Sequence, residues 1–488
     1  QMPTGTGKTM VLANIVFSFL EMGNHPIWIV AHRRELVSQI KDTLERFFSS
    51  LKTTSIKVTS IQWLSRHYGE MEEKPGLIVI DEAHHALAET YAEVMNAYPK
   101  AKKLGLTATP YRLNGKGFTD LFDTLLCSWS MEKFIAEGRL SLYDYYSIKP
   151  DSTDQQLIDS LQKRGADGDY QQKELNEVMD VKPSLERLCL TIKEYVPGKK
   201  GIVYAISIQH AEHIAEFYRE NGIKAVAISS KTPLAERQEL IERFKSFSLS
   251  PSLNSTSNTS DEIEVLVSVD LFSEGFDCPD VEFIQLARPT LSLAKYMQMV
   301  GRGLRVAEGK EYCVILDNVG LYKRFGLPSV DRDWQSMFEG RTSLEDILQE
   351  ACLQVNSHNC RMDLMMDGDE EMMKIINHKH QQQMIMDTYG YQIIEDEKGL
   401  KGIKDKDGKM ILECQYKKIE VTNDGFAYCY IRKKVGRKEW IDLRNRLWFA
   451  NKPQSVKLMG IDFSTEDGKK LYPRILSKYI DEKTYLTV

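Results

Sequence analysis

The stretch Pro3-Thr4-Gly5-Thr6-Gly7-Lys8-Thr9 lies at the beginning of this 488-residue chain and decides its fold class. Its glycines let the backbone turn so that several N–H groups face one point, and the helix that follows adds a dipole that favours an anion. Lys8 can reach the outer phosphates of a nucleotide, and the Thr9 hydroxyl is a ligand for Mg²⁺. The sequence therefore predicts a nucleoside triphosphate site with Mg²⁺. Its residues are Thr4, Gly5, Thr6, Gly7, Lys8 and Thr9.

Short apolar segments alternate with segments of helical composition on the C-terminal side of this loop. Ile27–Val30 and Leu77–Ile80 are nearly unbroken apolar runs, and a second series of such runs lies between Ile202 and Leu316. Strands of a parallel sheet have this composition, because helices cover both of their faces. The predicted fold class is therefore α/β, with parallel sheets flanked by helices. A phosphate loop normally follows a buried strand. Since no residue precedes Gln1 to form that strand, we expect an N-terminally truncated first sheet.

Two adjacent acids directly follow the apolar run Leu77–Ile80. Asp81, at the end of this strand, is placed to hold Mg²⁺ through water, and Glu82 is placed to orient and polarise the attacking water. Adjacent acids can also form a solvated strand end, but the phosphate loop upstream favours the metal site. We therefore predict Thr9 and Asp81 as the Mg²⁺ residues, and Asp81 and Glu82 as catalytic residues.

Composition and cysteine usage indicate an ordinary globular protein of the cytoplasm. Hydrophobic residues make up 42% and charged residues 27% of the chain, and the net charge is -6. The eight cysteines are scattered, without CxxC pairs or zinc-ligand spacing. No apolar run is long enough to span a bilayer or has the pattern of a signal peptide. The net charge gives no global attraction to nucleic acid, so local basic clusters must bind such a partner.

Six motifs along the chain resemble, in order, those of superfamily 2 helicases and translocases. They are Pro3–Thr9, Ala31–Leu36, Asp81–His84, Thr107–Pro110, Ser273–Asp277 and Gln298–Arg305. The resemblance covers roughly residues 1–330 and implies two tandem RecA-like domains with ATP bound between them. His84 and the Thr-Ala-Thr at 107–109 are similar to the type III restriction and excision-repair branch of the DEAD/DEAH-box helicases, and unlike the DEAD-box RNA helicases.

The resemblance also implies roles for single residues. Arg302 and Arg305 would stabilise the γ-phosphate as arginine fingers, because the transition state becomes more negative there. Gln298 would sense the same phosphate and counts with them as catalytic. Gly275 and Asp277 are implied to contact the nucleotide from the second domain. The residues implied to couple the acidic motif to domain closure are His84, Thr107 and Thr109.

A protein that moves along nucleic acid binds phosphates without reading bases. Open α/β sheets bind ligands at the carboxyl ends of their strands, and polar residues follow the predicted strands in both halves. The candidates for nucleic-acid contact are Arg33, Arg34, Thr59, Gln62, Arg66, Arg112, Ser207, Gln209 and Thr232. Each can equally be a solvated loop residue. Trp63 could stack on a base, but we expect it to pack in the core.

The predicted organisation comprises two domains, a linker and two accessory regions. The first RecA-like domain spans 1–148, a polar linker 149–185 and the second RecA-like domain 186–330. Residues 331–390 are predicted to be helical. Residues 391–488 contain β-type runs separated by hairpin turn signals. They resemble a degenerate WG-repeat module without its signature tryptophan, and we expect this module to bind a protein partner.

The motifs together predict an ATP-dependent helicase or translocase with ATP and Mg²⁺ as its ligands. The resemblance favours DNA over RNA as the substrate. Two alternatives stay open. The same enzyme could act on structured RNA, or the chain could be a nucleotide-controlled clamp or scaffold that binds nucleic acid without unwinding it.

Overall fold

The computed structural model describes residues 1–23, 26–32, 34–47, 55–85, 89–247, 262–269, 278–343, 346–347, 372–405, 407–421, 426–431, 438–442, 447–449 and 485–486. The chain divides into two compact units. The first comprises Gln1–Met131 and Ser141–His378, and the second comprises Glu132–Leu140 and Lys379–Val488.

The first part of unit one is a parallel sheet with helices, which we call the first lobe. Its strands are β1 (Ile27–Ala31), β2 (Ile56–Ser60), β3 (Leu77–Asp81) and β4 (Lys102–Leu106). The strand order is β2-β1-β3-β4, and all three pairings are parallel. The helices of this lobe are α1 (Lys8–Met22), α2 (Arg34–Phe47), α3 (Ile61–His67) and α4 (Glu89–Ala97). Short 3-10 turns span Tyr68–Glu70 and Ala83–His85.

The alternation of side chains along β1 explains why both faces of this sheet are covered. All five residues of β1 are buried. Ile27 and Ile29 pack on one face with Leu12 of α1, and Trp28 packs on the other face with Leu64 of α3. Side chains on a strand point alternately to the two faces. Because β1 and β3 pair in parallel, their carboxyl ends meet at one edge of the sheet, and the predicted motifs lie there.

A second parallel sheet forms the second lobe of the same unit. Its strands are β5 (Leu142–Ile148), β6 (Gly201–Tyr204), β7 (Ala225–Ile228), β8 (Val265–Ser268), β9 (Phe283–Leu286), β10 (Tyr312–Asp317) and β11 (Met372–Ile376). The order is β11-β5-β10-β9-β6-β8-β7, with only the β11–β5 pairing antiparallel among these described strands. The helices are α6 (Thr153–Asp159), α7 (Gln172–Met179), α8 (Lys182–Tyr195), α9 (Ile208–Glu220), α10 (Leu234–Ser246), α11 (Leu293–Gly303), α12 (Leu321–Phe325) and α13 (Trp334–Phe338). The predicted α/β class is confirmed.

Two segments differ from the sequence prediction. β5 lies in the second sheet, beside β10, although the boundary at residue 148 assigned it to the first domain. Apolar runs identify a strand but not the sheet that it joins. β11 is an edge strand in a range predicted to be helical, and its Met372 is buried. Methionine favours helices only weakly and adapts to irregular gaps in a core, so burial in the sheet could override the helical tendency of this Met-rich range.

The second unit contains an antiparallel sheet, in agreement with the predicted β-rich tail. Its strands are β12 (Tyr391–Glu395), β13 (Lys401–Asp405), β14 (Met410–Val421), β15 (Phe426–Ile431), β16 (Lys438–Asp442), β17 (Leu447–Phe449) and β18 (Tyr485–Leu486), paired in chain order. Two helices, α5 (Met131–Ala136) and α14 (His378–Tyr389), lie largely within it. Lys133 is 2.6 Å from Glu137, and Tyr391 forms hydrogen bonds with both. The WG-repeat resemblance stays a prediction.

Among the helices that the structure describes, none combines the length and the apolarity that crossing a bilayer requires.

Candidate nucleotide site and nucleic-acid interface

The predicted phosphate loop has the backbone of an anion cradle. Gly5 and Gly7 have φ of 85° and 96°, which side chains with a Cβ rarely adopt. The Thr6 hydroxyl donates to the Pro3 carbonyl at 2.7 Å and closes the loop. Helix α1 starts at Lys8, and its first N–H groups face the loop. Thr4 Oγ1 is buried without a hydrogen-bond partner among the described residues, as expected of a group that awaits a polar ligand.

The two acids after β3 lie next to this loop. Asp81 and Glu82 are both buried. Lys8 Nζ lies 3.9 Å from Glu82 Oε1 and 3.5 Å from the Met2 carbonyl. Glu82 has a φ of 49°, a left-handed conformation that costs energy for a side chain of this size. The predicted phosphate cation and the predicted catalytic carboxylate are therefore brought together in the first lobe.

His84 connects four of the predicted residues. Its Nδ1 lies 3.0 Å from Thr107 Oγ1 and 3.4 Å from Glu82 Oε2, and its Nε2 lies 3.4 Å from Gln298 Nε2. Thr107 Oγ1 in turn accepts from the Thr109 N–H at 3.1 Å. A tautomer with its proton on Nδ1 donates to Thr107 Oγ1, and its Nε2 then accepts from the Gln298 amide. The residues predicted to couple the acidic motif to the second domain are thus in mutual contact.

Helix α11 brings the second lobe to the phosphate loop. A Cβ added to Gly301 of α11 would lie 2.5 Å from Thr4 Cβ, so α11 packs against the Thr4 side chain where only glycine leaves room. Arg302, in the last turn of α11, is buried. Arg305 follows the end of this helix. Gly275 and Asp277 lie outside the described residues.

Lys310 is a residue of this region that the sequence did not identify. Its Nζ donates to the carbonyls of Gly303 at 2.6 Å and Arg305 at 2.9 Å. Burial lowers the pKa of Lys310 below its ordinary value. The ammonium therefore fixes the backbone that carries Arg305. A lone lysine five residues beyond the motif gives no sequence signal for this contact.

An open cavity of about 340 Å³ lies at the carboxyl end of β2 and contains predicted nucleic-acid residues. Gln62 and Arg66 line it, and both are exposed. Gln62 Nε2 donates to the His32 carbonyl at 2.9 Å. The cavity lining also includes Ser60, His32, Trp63 and His67.

Trp63 is not a core residue, so that expectation was wrong. It is 39% exposed, and its ring stacks on His67 with centroids 4.4 Å apart. Lys57 Nζ lies 4.4 Å from the Trp63 ring centroid. Residues four apart on a helix are neighbours, so the Trp63–His67 spacing on α3 could have indicated the stack. Apolarity alone predicted burial instead.

Arg112 is inside the protein, which contradicts its predicted contact with nucleic acid. It is 8% exposed, and it donates to the carbonyls of His84 at 3.3 Å and Gly117 at 2.6 Å. Its guanidinium carbon lies 3.4 Å from the Phe118 ring centroid. Burial lowers the pKa of Arg112 to about 9. These contacts make it a structural residue of the loop that follows Thr109.

Those of the other predicted contacts whose side chains the structure describes do not join the cavity lining. Thr59 is buried on β2. Ser207 caps helix α9, where its hydroxyl accepts from the His210 N–H at 3.0 Å. Thr232 Oγ1 accepts from the Ser229 N–H at 3.0 Å. Gln209 is exposed on α9. Arg33 and the side chain of Arg34 lie outside the described residues.

The residues present fit a nucleotide with Mg²⁺. Within the described part of the chain, no cluster of three or more His, Cys, Asp or Glu side chains could hold a metal ion by itself. Mg²⁺ needs no such cluster beside a nucleotide, because it keeps waters and binds phosphates with one or two protein ligands. Thr9 at the start of α1 and Asp81 at the end of β3 carry a hydroxyl and a carboxylate of this kind, and they stay the predicted ligands.

Comparison with known proteins identifies two family models in this chain. The model for the type III restriction enzyme, res subunit, matches residues 1–112. The model for the helicase conserved C-terminal domain matches residues 183–307. Both matches lie in the unit that contains the two lobes, and they include every motif from Pro3 to Arg305.

Curated relatives extend the similarity across both lobes. A 51.5 kDa protein of a Lactococcus phage is 33% identical over 344 residues, which are 70% of this chain and 69% of the phage protein. The putative ATP-dependent helicase IRC3 of Saccharomyces cerevisiae is 27% identical over 346 residues, 65% of this chain and 47% of the yeast protein. This chain thus spans about half the length of the yeast relative.

Among solved structures, a fragment of a putative HsdR subunit of a type I restriction enzyme from Vibrio vulnificus is similar in part. It is 22% identical, with a TM-score of 0.49, and the match covers 70% of this chain and 62% of that one.

Proposed function

Because this chain belongs to the superfamily 2 helicases, we propose that it couples ATP hydrolysis to movement along DNA, as a helicase or translocase. The observation that carries the proposal is the contact between Glu82, His84 and Gln298, which joins the acids of the first lobe to α11 of the second. A nucleotide-binding protein without mechanical coupling has no need of that link. ATP-dependent movement requires it, because nucleotide state must change the relation between the lobes.

The nucleotide would lie on the phosphate loop, between the two lobes. The backbone N–H groups near Gly5 and Gly7 bind phosphate oxygens, and Lys8 neutralises their charge. Mg²⁺, held by Thr9 and Asp81, would neutralise the β- and γ-phosphates further. Lys8 Nζ lies 3.9 Å from Glu82 Oε1, so the cation that would bind phosphate lies next to the proposed catalytic carboxylate. Glu82 would orient the attacking water.

Arg302 and Arg305 would complete the site from the second lobe. Cations placed where negative charge develops lower the barrier most when they are fixed before the reaction. Arg302 is held in place by burial. Lys310 holds the backbone of Arg305 through a hydrogen bond to its carbonyl. Gln298 would change its contact with His84 when the γ-phosphate and the two arginines come together. Gly275 and Asp277 stay candidates for nucleotide contact on the motif resemblance alone.

The cavity beside α3 is the proposed contact with nucleic acid. Arg66 is an exposed cation at its wall, and Gln62 adds an amide, which together suit a phosphate backbone. The match of residues 1–112 to the res subunit of type III restriction enzymes and the presence of His84 support DNA as the substrate. The tail module stays a candidate site for a protein partner.

Stimulation of ATP hydrolysis tests the proposal. We expect duplex or single-stranded DNA to raise turnover of the wild-type protein more than RNA does. The Arg66→Ala variant should need a higher DNA concentration for half-maximal stimulation. The matched control is Arg46→Ala, which removes an exposed arginine of α2 that does not line the cavity. Turnover that neither DNA nor RNA changes would refute movement along nucleic acid, and stronger stimulation by RNA would make RNA the substrate.

A strand-displacement assay separates a helicase from a clamp. The Glu82→Gln variant should bind ATP and DNA yet displace no strand, because it lacks the carboxylate that orients water. If the wild-type protein hydrolyses ATP on DNA without displacing a strand, the next assay measures whether it displaces streptavidin bound to the DNA, which a translocase does. Failure in both assays would leave a nucleotide-controlled clamp.

A further inference from the structure

Three histidine rings form a continuous column in the first lobe. The ring centroids of His84 and His85 are 4.2 Å apart, with an interplanar angle of 43°. Those of His85 and His32 are also 4.2 Å apart, with an angle of 40°. His85 is the middle ring and touches both neighbours. The rings come from the segments that follow β1 and β3, which are adjacent in the sheet. We call these three residues the histidine column.

One end of the histidine column lies at the nucleotide site. His84 contacts Glu82, Thr107 and Gln298 through the distances given above. The His85 N–H donates to the Glu82 carbonyl at 3.0 Å, so the 3-10 turn that carries both rings is closed on the catalytic glutamate. A displacement of His85 therefore reaches His84 and Glu82 together.

The other end of the column lies at the cavity. His32 lines the cavity with Gln62 and Arg66. Gln62 Nε2 donates to the His32 carbonyl, so a ligand that reorients Gln62 also acts on the segment that carries His32. Ring contacts thus run without a gap from the cavity wall to the group that holds the catalytic carboxylate. The middle member, His85, lines neither the cavity nor the phosphate loop.

We propose that His85 is a positioning residue through which a strand bound in the cavity acts on His84 and so sets the rate of ATP hydrolysis. This inference rests on the proposed function, because it needs nucleic acid in the cavity and turnover at Glu82. Coupling between two sites requires an element whose arrangement both sites bias. The His85 side chain is exposed, and its ring contacts His32 on one side and His84 on the other, so a change in the position of either neighbour acts on it directly.

Steady-state ATP hydrolysis by a His85→Ala variant tests the inference. The basal rate should stay within about twofold of wild type, because the variant keeps the His85 N–H that binds Glu82. Maximal stimulation by saturating DNA should fall about tenfold, a typical size for coupling between two sites. DNA affinity in the presence of a non-hydrolysable ATP analogue should be retained, because His85 does not line the cavity. A His85→Phe variant restores an aromatic ring between His32 and His84 and should recover most of the stimulation.

A His67→Ala variant is the matched control, because His67 lines the cavity but stacks on Trp63 outside the column. It should raise the DNA concentration for half-maximal stimulation and leave the maximal rate unchanged. Full stimulation of His85→Ala would overturn the inference while leaving the proposed function intact, and so would a His85→Phe variant as uncoupled as the alanine. If DNA and RNA both leave the turnover of the wild-type protein unchanged, the proposed function is overturned, and so is this inference about His85.

Discussion

Burial decides what a single cation can do in this protein. Arg66 and Arg112 are both arginines that follow motif residues, and the sequence predicts a phosphate contact for each. Arg66 is exposed and lines the cavity, whereas Arg112 is buried with two carbonyl partners and an aromatic ring. Carbonyl oxygens replace part of the water around this buried guanidinium, and the negative charge of Asp120 opposes the effect of burial on its pKa.

An Arg112→Ala substitution should therefore destabilise the fold and spare nucleic-acid binding. It leaves the part-buried carbonyls of His84 and Gly117 without their donor and removes the packing on Phe118, at a cost of about 1–3 kcal/mol in total. The measurement is the free energy of unfolding in urea, compared with DNA affinity of the folded variant. Wild-type stability with weakened DNA binding would contradict this assignment and return Arg112 to the interface.

At the scale of elements, the beginning of α9 combines a cap with a buried neutral histidine. Ser207 caps the helix, and the Ile206 N–H donates to His210 Nδ1 at 3.2 Å. Burial lowers the pKa of His210 to about 4 from an ordinary 6.5. The nitrogen that accepts from Ile206 must stay unprotonated for this contact, so the fold holds the ring neutral.

This histidine should make the stability of the second lobe depend on pH. Below pH 6.5 an unfolded chain protonates His210, while the folded chain does so only near pH 4. The free energy of unfolding therefore falls as the pH is lowered from about 6.5 to about 4, by roughly 3 kcal/mol in total. Thermal unfolding of a His210→Asn variant, whose amide oxygen can replace Nδ1, should show a shallower slope of Tm in this window. Equal slopes would mean that His210 already titrates normally in the fold.

At the scale of the whole molecule, the contact of Gly301 with Thr4 limits how the two lobes meet. A Gly301→Ala substitution places a Cβ 2.5 Å from Thr4 Cβ, a separation that side chains do not adopt. Each lobe can still fold, because the clash lies between α11 and the phosphate loop. We expect ATP turnover to fall at least about tenfold, because a misplacement of about 1 Å in a catalytic geometry has effects of this size or larger.

The control for this prediction is Gly69→Ala. Among the described residues, no atom lies within 4 Å of the Cβ that it would add. Turnover and Tm are the measurements for both variants. A Gly301→Ala protein with wild-type turnover would show that hydrolysis does not need this approach of α11. A large loss of Tm would instead place the effect on folding.

The sequence predicted the α/β fold class correctly, and the roles that it assigns to the residues of the nucleotide site stay predictions. Lys8 and Glu82 could be predicted because each has a chemical role at a fixed place in its motif, and Gln298 because its motif resembles that of the helicases. The burial of Arg112 and the exposure of Trp63 could not, because tertiary contacts such as Phe118 and His67 determine them. The histidine column has the same origin. His32 and His85 are far apart in the chain and become neighbours only when β1 pairs with β3.

The pairing of β5 with β10 has a consequence for anyone who expresses the second lobe alone. A gene fragment cut at residue 183, where the helicase C-terminal family match begins, omits β5 and leaves β10 as a bare edge. Unpaired edge strands present N–H and C=O groups that recruit other chains, so such a fragment should precipitate during purification. A fragment that starts at Ser141 carries its own covering strand. We therefore expect the fragment that starts at Ser141 to stay in solution where the shorter fragment precipitates.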